Sequence, residues 1–410
     1  MRIRTGRTVG VALVLVLAAC TSRPGGSETS RQVGSTVSPS ASTSSTGPAA
    51  LFPVRAFAAI SEVPVGQRSA AEFQAALEEL VKSDGFGKGG GMTATVMTAK
   101  GTWSGAVGTA DGSRDLRVGD QFAIASITKS LISAQVMSMV EAGELGLDDP
   151  VADHLPPDLG FDSNGATIRD LLGHRSGIPD DYDVLRGPVQ GDPLRVWTPA
   201  DVLELVPATR IPVGSFEYAE TNYFLLSLMI EHVRGRPVAE VLRDGVLAVD
   251  GVERLVYQPD ERPSRPIALP GGESTAVLET RGGYLPSLAA VTAFAGSGVM
   301  ASDSPSLARW WQAFCAGEIV SQATLTEMSD FDPDVSSFDG SYGLGMFNPA
   351  FGHAQAVGHT GELFGYMSWA ACVPEEGAVI VVLSNRVVDE LSVDLFFRPL
   401  RPFIDVLRSG

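Results

Sequence analysis

Apolar and polar positions along the chain fall into three successive regimes. In the first, Phe73, Ala76, Leu77, Leu80 and Val81 recur at helical spacing, and Ser69-Ala-Ala-Glu72 ahead of them has the form of a capping box. Apolar runs rich in β-branched residues then predict a hairpin, Met92–Thr98 and Thr102–Val107 around Ala99-Lys-Gly101, with a further turn region at Asp115–Gly119. The second regime opens at Phe122-Ala-Ile-Ala-Ser126-Ile-Thr-Lys129, a strand end turning into a helix that runs to about Ala142 and stops at Gly143. From about 140 to 338 the pattern is mainly helix and loop. Thr167–Gly173 reads as a short amphipathic helix, Thr198-Pro199 as an N-cap with Pro at the first helical position, and Asn222–Arg234, apolar nearly all round, as a core helix. Ser304–Ala316 reads as another helix, carrying Trp310, Trp311 and Phe314. The third regime returns to strands, Gly361–Cys372 and Ala378–Leu383 around Pro374–Gly377. A C-terminal helix follows somewhere in Val388–Leu407, interrupted by Pro399 and Pro402. Strands at both ends with helices between predict an α+β fold. One antiparallel sheet is built from both chain ends, helices flank it, a mainly helical region is inserted, and the cleft between the two is the expected site.

The first 67 residues break this pattern. Arg2, Arg4 and Arg7 precede an apolar run from Val9 to Ala19 that is too short to span a bilayer as a mature helix. It ends in Leu17-Ala-Ala-Cys20, which resembles a bacterial lipobox. Residues 1–19 therefore read as a signal peptide and Cys20 as the lipid-attachment site. Residues 20–67, rich in Ser, Thr, Gly and Pro in their first part, read as a tether, and 68–410 as the folded domain. The expected location is the outer face of a bacterial cell membrane. The chain has 410 residues, 44% of them hydrophobic, and a net charge of −18, which argues against a nucleic-acid partner. Cys315 and Cys372 remain after Cys20; a disulfide and two buried free thiols are equally compatible with the sequence.

Ser126 and Lys129 stand one helical turn apart, so a hydroxyl and an amine share one face at a partly positive helix start. That is a candidate nucleophile with its base. No G-x-S-x-G elbow, H-E-x-x-H or C-x-x-C is present. The five His are scattered singly, His353 and His359 being the nearest pair, so no metal is expected. Gly85-Phe-Gly-Lys-Gly-Gly90 matches a dinucleotide pattern but precedes a strand, so it reads as a loop. Two further stretches carry chemistry. Tyr218-Ala-Glu220, at the entry to the buried helix, offers a proton shuttle, and His359-Thr360-Gly361-Glu362, at the opening of the last strands, offers substrate contacts and close backbone approach.

Taken together, Ser126-Ile-Thr-Lys129, Tyr218-Ala-Glu220 and His359-Thr-Gly361 resemble the S-x-x-K, Y-x-N and K/H-T-G motifs of the serine β-lactamase and D-alanyl-D-alanine peptidase family. The resemblance lies on the side of that family holding class C β-lactamases and related esterases. Leu171-Leu-Gly-His174-Arg-Ser-Gly177, Thr221-Asn-Tyr223, Gly298-Val-Met-Ala-Ser302 and Tyr342-Gly-Leu-Gly345 are similar to it too, so the likeness covers about residues 68–410. It implies an acyl-enzyme on Ser126, proton transfer by Lys129 and Tyr218, an oxyanion hole from the backbone N–H groups of Ser126 and Glu362, and substrate contacts from His359, Thr360 and Gly361. The implied partner is a small peptide, ester or cell-wall substrate, and the resemblance implies that no metal or organic cofactor is needed. Glu220 departs from the family's Asn. A carboxylate beside Lys129 and Tyr218 should raise the pKa of both. Three outcomes follow: Glu220 is itself the base, it pairs with Lys129 while Tyr218 does the work, or activity is weak or lost. Peptidase or esterase chemistry is for this reason ranked above β-lactam turnover, and a non-catalytic envelope lipoprotein that binds peptidoglycan is the alternative.

Overall fold

The two strand-rich ends of the chain meet in one antiparallel sheet because the hairpin near residue 100 and the strand before residue 384 are both too apolar to leave a face in water. The computed structural model describes residues 51–83, 89–270, 282–331, 340–351, 354–386 and 398–409. The leader, Cys20, the tether up to residue 50, most of the Gly85–Gly90 loop, His353 and the first part of the C-terminal tail lie outside the described residues.

The sheet takes β1 (Gly91–Thr98) and β2 (Gly101–Gly108) from the first end of the domain. From the other end come β6 (Gly340–Tyr342), β7 (Phe347–Phe351), β8 (Ala354–Gln355), β9 (Val357–Leu363), β10 (Tyr366–Val373) and β11 (Ala378–Ser384). Their order is β2-β1-β11-β10-β9-β7-β6, with β8 paired to β7, so β1 joins the ends by pairing with β11. Strand alternation divides the side chains between two cores. Met92, Ala94, Val96, Ile380 and Val382 face one layer, packed on Phe73, Leu77 and Leu80 of α2 (Gln67–Lys82) and Phe403 of α12 (Arg401–Ser409). Met97, Val379, Val381 and Leu383 face the other, with Trp310, Trp311 and Phe314 of α10 (Ser304–Cys315). A Cys315–Cys372 disulfide ties α10 to β10, which settles the alternative left open by the sequence.

The inserted region carries α3 (Thr128–Glu141), α4 (Ile168–Leu172), α5 (Tyr182–Gly191), α6 (Pro199–Leu205), α7 (Glu220–Arg234), α8 (Val238–Asp244), α9 (Leu288–Ala293) and α11 (Gln322–Met328). It is not wholly helical. β3 (Phe122–Ala123), β5 (Met300–Ser302) and β4 (Val256–Tyr257) form a small second sheet in that order. Thr167 and Thr198 cap α4 and α6 through full capping boxes, with Pro199 at the start of α6.

Four boundaries differ from the sequence-based expectation. The fold begins near residue 51, not 68, because Phe52 and Phe57, the latter on α1 (Val54–Ala58), are buried in the core. Helix α2 starts at Gln67, so Ser69 lies inside its first turn and makes no capping bond there; Gly66 is the N-cap. Residues Gly361–Cys372 are not one strand. Phe364 (φ 39°) and Gly365 (φ 96°) adopt left-handed backbone and fold the stretch into a tight β9–β10 hairpin. Finally, Ser126 is not at the α-helix start. It sits in a single 3₁₀ turn, Ala125–Ile127, and the α-helix begins at Thr128.

Candidate active site

That 3₁₀ turn presents Ser126 to a cavity between the main sheet and the inserted region. Ala125 enters the turn at φ 47°, in left-handed backbone that side chains other than glycine rarely adopt. Side-chain hydrogen bonds fix the turn and α3 from several directions. Ser368 donates to the Ile124 carbonyl (2.7 Å), Ser130 to the Gly345 carbonyl (2.7 Å) and Ser133 to the Leu344 carbonyl (2.8 Å), while Thr128 Oγ1 accepts from Met300 N–H (3.1 Å). Gly361 lets β9 lie directly against the turn. A Cβ there would stand 2.3 Å from the Ile124 carbonyl oxygen and 2.9 Å from Ser126 N. Glu362, the next residue, thereby comes to the same wall of the cavity as Ser126.

Lys129 lies behind Ser126, fully buried. Its Nζ is 3.0 Å from Ser126 Oγ, 2.7 Å from Glu220 Oε2 and 3.0 Å from the Ser297 carbonyl oxygen. Glu220 is the first residue of α7, where the helix dipole favours a carboxylate. Burial lowers the Lys129 pKa below its ordinary value, and the neighbouring Glu220 carboxylate works against that shift. Glu220 therefore contributes in the direction expected from the sequence, but desolvation outweighs it. Tyr218 behaves as expected: burial and Glu220 push its pKa well above the usual tyrosine value, opposed by its hydrogen bond with Ser126. The Tyr218 ring also lies under Lys129, with Nζ 4.9 Å from its centroid.

The cavity, about 290 Å³, is lined by Ser126, Tyr218, Glu220, Thr360, Gly361 and Glu362 from the sequence motifs. Asp180, Tyr182, Arg186, Met367 and Trp369 complete it and were not singled out from the sequence. His359 does not reach it. Strand alternation turns His359 to the face of β9 opposite Thr360, where it is buried beside Tyr342 and Phe347 and its pKa falls to about 3 through burial and the nearby Lys129. The expected substrate contact from His359 is thus not supported, whereas Thr360 and Gly361 are in place.

Asp180 is the most informative of the missed residues. Its Oδ1 accepts the Glu220 N–H (2.9 Å) and so holds the start of α7. Burial and the Glu220 charge raise its pKa to about 6. Burial likewise raises Glu362, with Arg186 opposing. The only signal for Asp180 in the sequence is Pro179-Asp-Asp181 after Gly177, which by itself marks a turn.

A family model described as Beta-lactamase matches residues 73–396. The chain belongs to the β-lactamase family. A penicillin-binding protein of Bacillus subtilis (strain 168) is 26% identical over 294 residues, 67% of this chain and 63% of that protein. A D-aminopeptidase of Brucella anthropi is 26% identical over 247 residues, 59% of this chain and 45% of that protein. The matches thus span about half to two thirds of the length of these curated relatives. Among solved structures, the D-amino acid amidase from Ochrobactrum anthropi SV3 superposes with a TM-score of 0.69 at 22% identity, covering 84% of this chain and 98% of that one; this is a likeness of fold. The α+β sheet with flanking helices is thus shared with that solved structure.

Proposed function

We propose that the chain is an exported serine hydrolase that cleaves an amide or ester through an acyl-enzyme on Ser126. One observation carries this reading: a buried amine lies 3.0 Å from a cavity-facing hydroxyl, with two of its three contacts taken by oxygen acceptors. Glu220 and the Ser297 carbonyl can only accept, so they claim two N–H groups of Lys129. The remaining position on Nζ faces Ser126, and in the neutral amine that position is the lone pair. Lys129 takes the Ser126 proton as Oγ attacks the substrate carbonyl carbon. The backbone N–H groups of Ser126 and Glu362, two residues that line the same cavity, stabilise the resulting oxyanion. Tyr218, which its raised pKa keeps protonated, delivers its proton to the leaving group, and the proton on Lys129 makes good the loss. Water then hydrolyses the acyl-Ser126 ester. This differs from all three outcomes left open by Glu220: Glu220 pairs with Lys129, as in the second, but Lys129 is the base and Tyr218 the acid. A fluorophosphonate should label the protein, and Ser126→Ala should abolish labelling of a still folded chain. Equal labelling of both would contradict the mechanism. A wild type that stays unlabelled but binds peptidoglycan would favour the non-catalytic alternative.

The charge of the cavity bears on the substrate. Asp180, Glu220 and Glu362 share the cavity lining with a single Arg186, and Lys129 in the amine form that acts as base carries no charge to offset Glu220. Such a wall disfavours an anionic acyl donor and favours a neutral or ammonium-bearing one. This supports amidase, aminopeptidase or esterase chemistry over β-lactam or carboxylate-terminated substrates, in keeping with the D-aminopeptidase relative. At pH 8 and low salt, kcat/KM for an aminoacyl ester with a free ammonium should exceed that of its N-succinyl counterpart by about tenfold or more. Asp180→Asn should shrink the ratio. Equal or reversed rates in the wild type would overturn the charge argument.

Export and lipid anchoring rest on the leader and Cys20, supported by a disulfide that suits an oxidising compartment. Among the described residues no helix is long and apolar enough to cross a membrane. Cys20→Ala should move the protein from the membrane pellet to the soluble fraction of fractionated cells. Retention in the pellet would contradict the anchor.

A further inference from the structure

His174, from the turn after α4, is fully buried and holds left-handed backbone at φ 56°, outside the set of residues that the proposed chemistry uses. Its contacts converge on Tyr218. The His174 carbonyl accepts the Glu217 N–H at 2.8 Å, and His174 Nδ1 accepts the Ala219 N–H at 3.2 Å. Tyr218 is thus bracketed, one residue before and one after, by two bonds to the same residue. The imidazole also lies against the Tyr218 ring, with centroids 4.2 Å apart and planes tilted by 31°. The loop is fixed a second time one residue further on, where Gly214 N–H donates to the Arg175 carbonyl at 2.8 Å.

These bonds also determine where the His174 proton resides. A backbone N–H can only donate, so Nδ1 must be an acceptor. Asn222 Nδ2, 3.1 Å from Nδ1, must then donate to it as well, which turns Asn222 Oδ1 towards Ser176 Oγ at 2.6 Å. Ser176 Oγ in turn accepts the Ile178 N–H at 3.1 Å, so every member of this chain has a consistent role. The single proton of the neutral ring is left on Nε2, a buried atom with no hydrogen-bond partner among the described residues. An imidazolium would need a proton on Nδ1, facing two donors, and would place a cation beside Lys129. Burial and Lys129 both keep the ring neutral, well below the ordinary histidine pKa.

We infer that His174 is a positioning residue for the acylation step: through its carbonyl, its unprotonated Nδ1 and its ring it holds the Tyr218 hydroxyl at Ser126. This rests on the proposed role of Tyr218 as proton donor to the leaving group. His174 touches neither the cavity nor the reacting atoms. Its effect is on the fraction of enzyme in which Tyr218 is in place when the leaving group departs, so it acts on kcat rather than on substrate binding. A displacement of the order of 1 Å in a proton donor is enough to cost about 100-fold in rate. The unpaired Nε2 is a cost accepted at a buried site, as expected where a ring is retained for its other nitrogen and its face.

Two variants separate the acceptor from the ring. His174→Phe keeps an aromatic face and leaves the Ala219 N–H and the Asn222 amide without their acceptor. His174→Asn removes the ring, offers an oxygen near the position of Nδ1, and tolerates left-handed backbone. Rates are read per active site titrated with a fluorophosphonate, so that loss of folded protein does not count. His174→Phe should lower kcat about 100-fold with KM within about threefold, and His174→Asn should recover kcat to within about tenfold of wild type. Wild-type kcat per titrated site in both variants, or an equal loss in both, would overturn the proposal. If His174→Phe does not fold, His174→Asn and the wild-type tautomer decide. Histidine ¹⁵N NMR should report a neutral ring protonated at Nε2 from pH 5 to 9, and a proton on Nδ1 would overturn the assignment. The failure of the hydrolase reading is separate: wild type would then not acylate at Ser126, whatever the state of His174.

Discussion

The contact on which the site depends is the buried ion pair between Lys129 and Glu220, 2.7 Å apart, with the lysine inaccessible and the glutamate side chain only 14% exposed. A lone ammonium at that depth would surrender its proton or unfold its surroundings. A lone carboxylate at the start of α7 would be stabilised by the helix dipole but would lack its counter-charge. Removing either member of such a pair costs about 3–5 kcal/mol, chiefly because the other is left uncompensated. The pair is therefore as much a structural joint as a chemical device. It fastens α3, which carries the nucleophile turn, to the start of α7, which follows Tyr218.

Around this joint the fold is arranged to bring together segments far apart in sequence. Gly361, having no side chain, allows β9 to touch the Ser126 turn, and Ser368 on β10 reaches the Ile124 carbonyl from the same hairpin. Gly345 accepts Ser130, and its neighbour Leu344 accepts Ser133, so the far end of the sheet grips the opposite side of α3. The sheet itself is rigid because alternation buries both faces of β1, β10 and β11 in separate apolar layers. A nucleophile held by strands on one side and by helices on the other has little freedom to move, which is what a preorganised acyl-transfer site needs.

Much of this was legible in the sequence, for identifiable reasons. The helical spacing of Phe73, Leu77 and Leu80 and the dense apolar run at Val379–Leu383 are local patterns, and both elements formed as expected. Ser126, Lys129, Tyr218, Thr360 and Gly361 were legible because motif spacing encodes a shared site. What the sequence hid depends on tertiary burial or on strained backbone. Phe52 and Phe57 lie in a stretch too short to show a period, so the domain edge was placed too late. The Phe364-Gly365 turn requires a phenylalanine in left-handed backbone, which propensity argues against. His359 belongs to a motif that implied a substrate contact, but its face of β9 follows from the register with β10, which the motif does not encode. The net direction of the Lys129 pKa could not be read either, since a sequence reveals a neighbouring charge but not the depth of burial that opposes it.

The central claim is that Lys129, paired with Glu220, is the base for Ser126, and that the balance between burial and the carboxylate sets its protonation. The pH dependence of kcat/KM in wild type and Glu220→Gln tests this most directly. Glutamine keeps the shape and a hydrogen-bond acceptor but removes the charge that favours the ammonium. The Lys129 pKa should fall further, the amine should be present at lower pH, and the acid limb of the profile should move down by about one unit or more. An acid limb that stays in place, or moves to higher pH, would contradict the account.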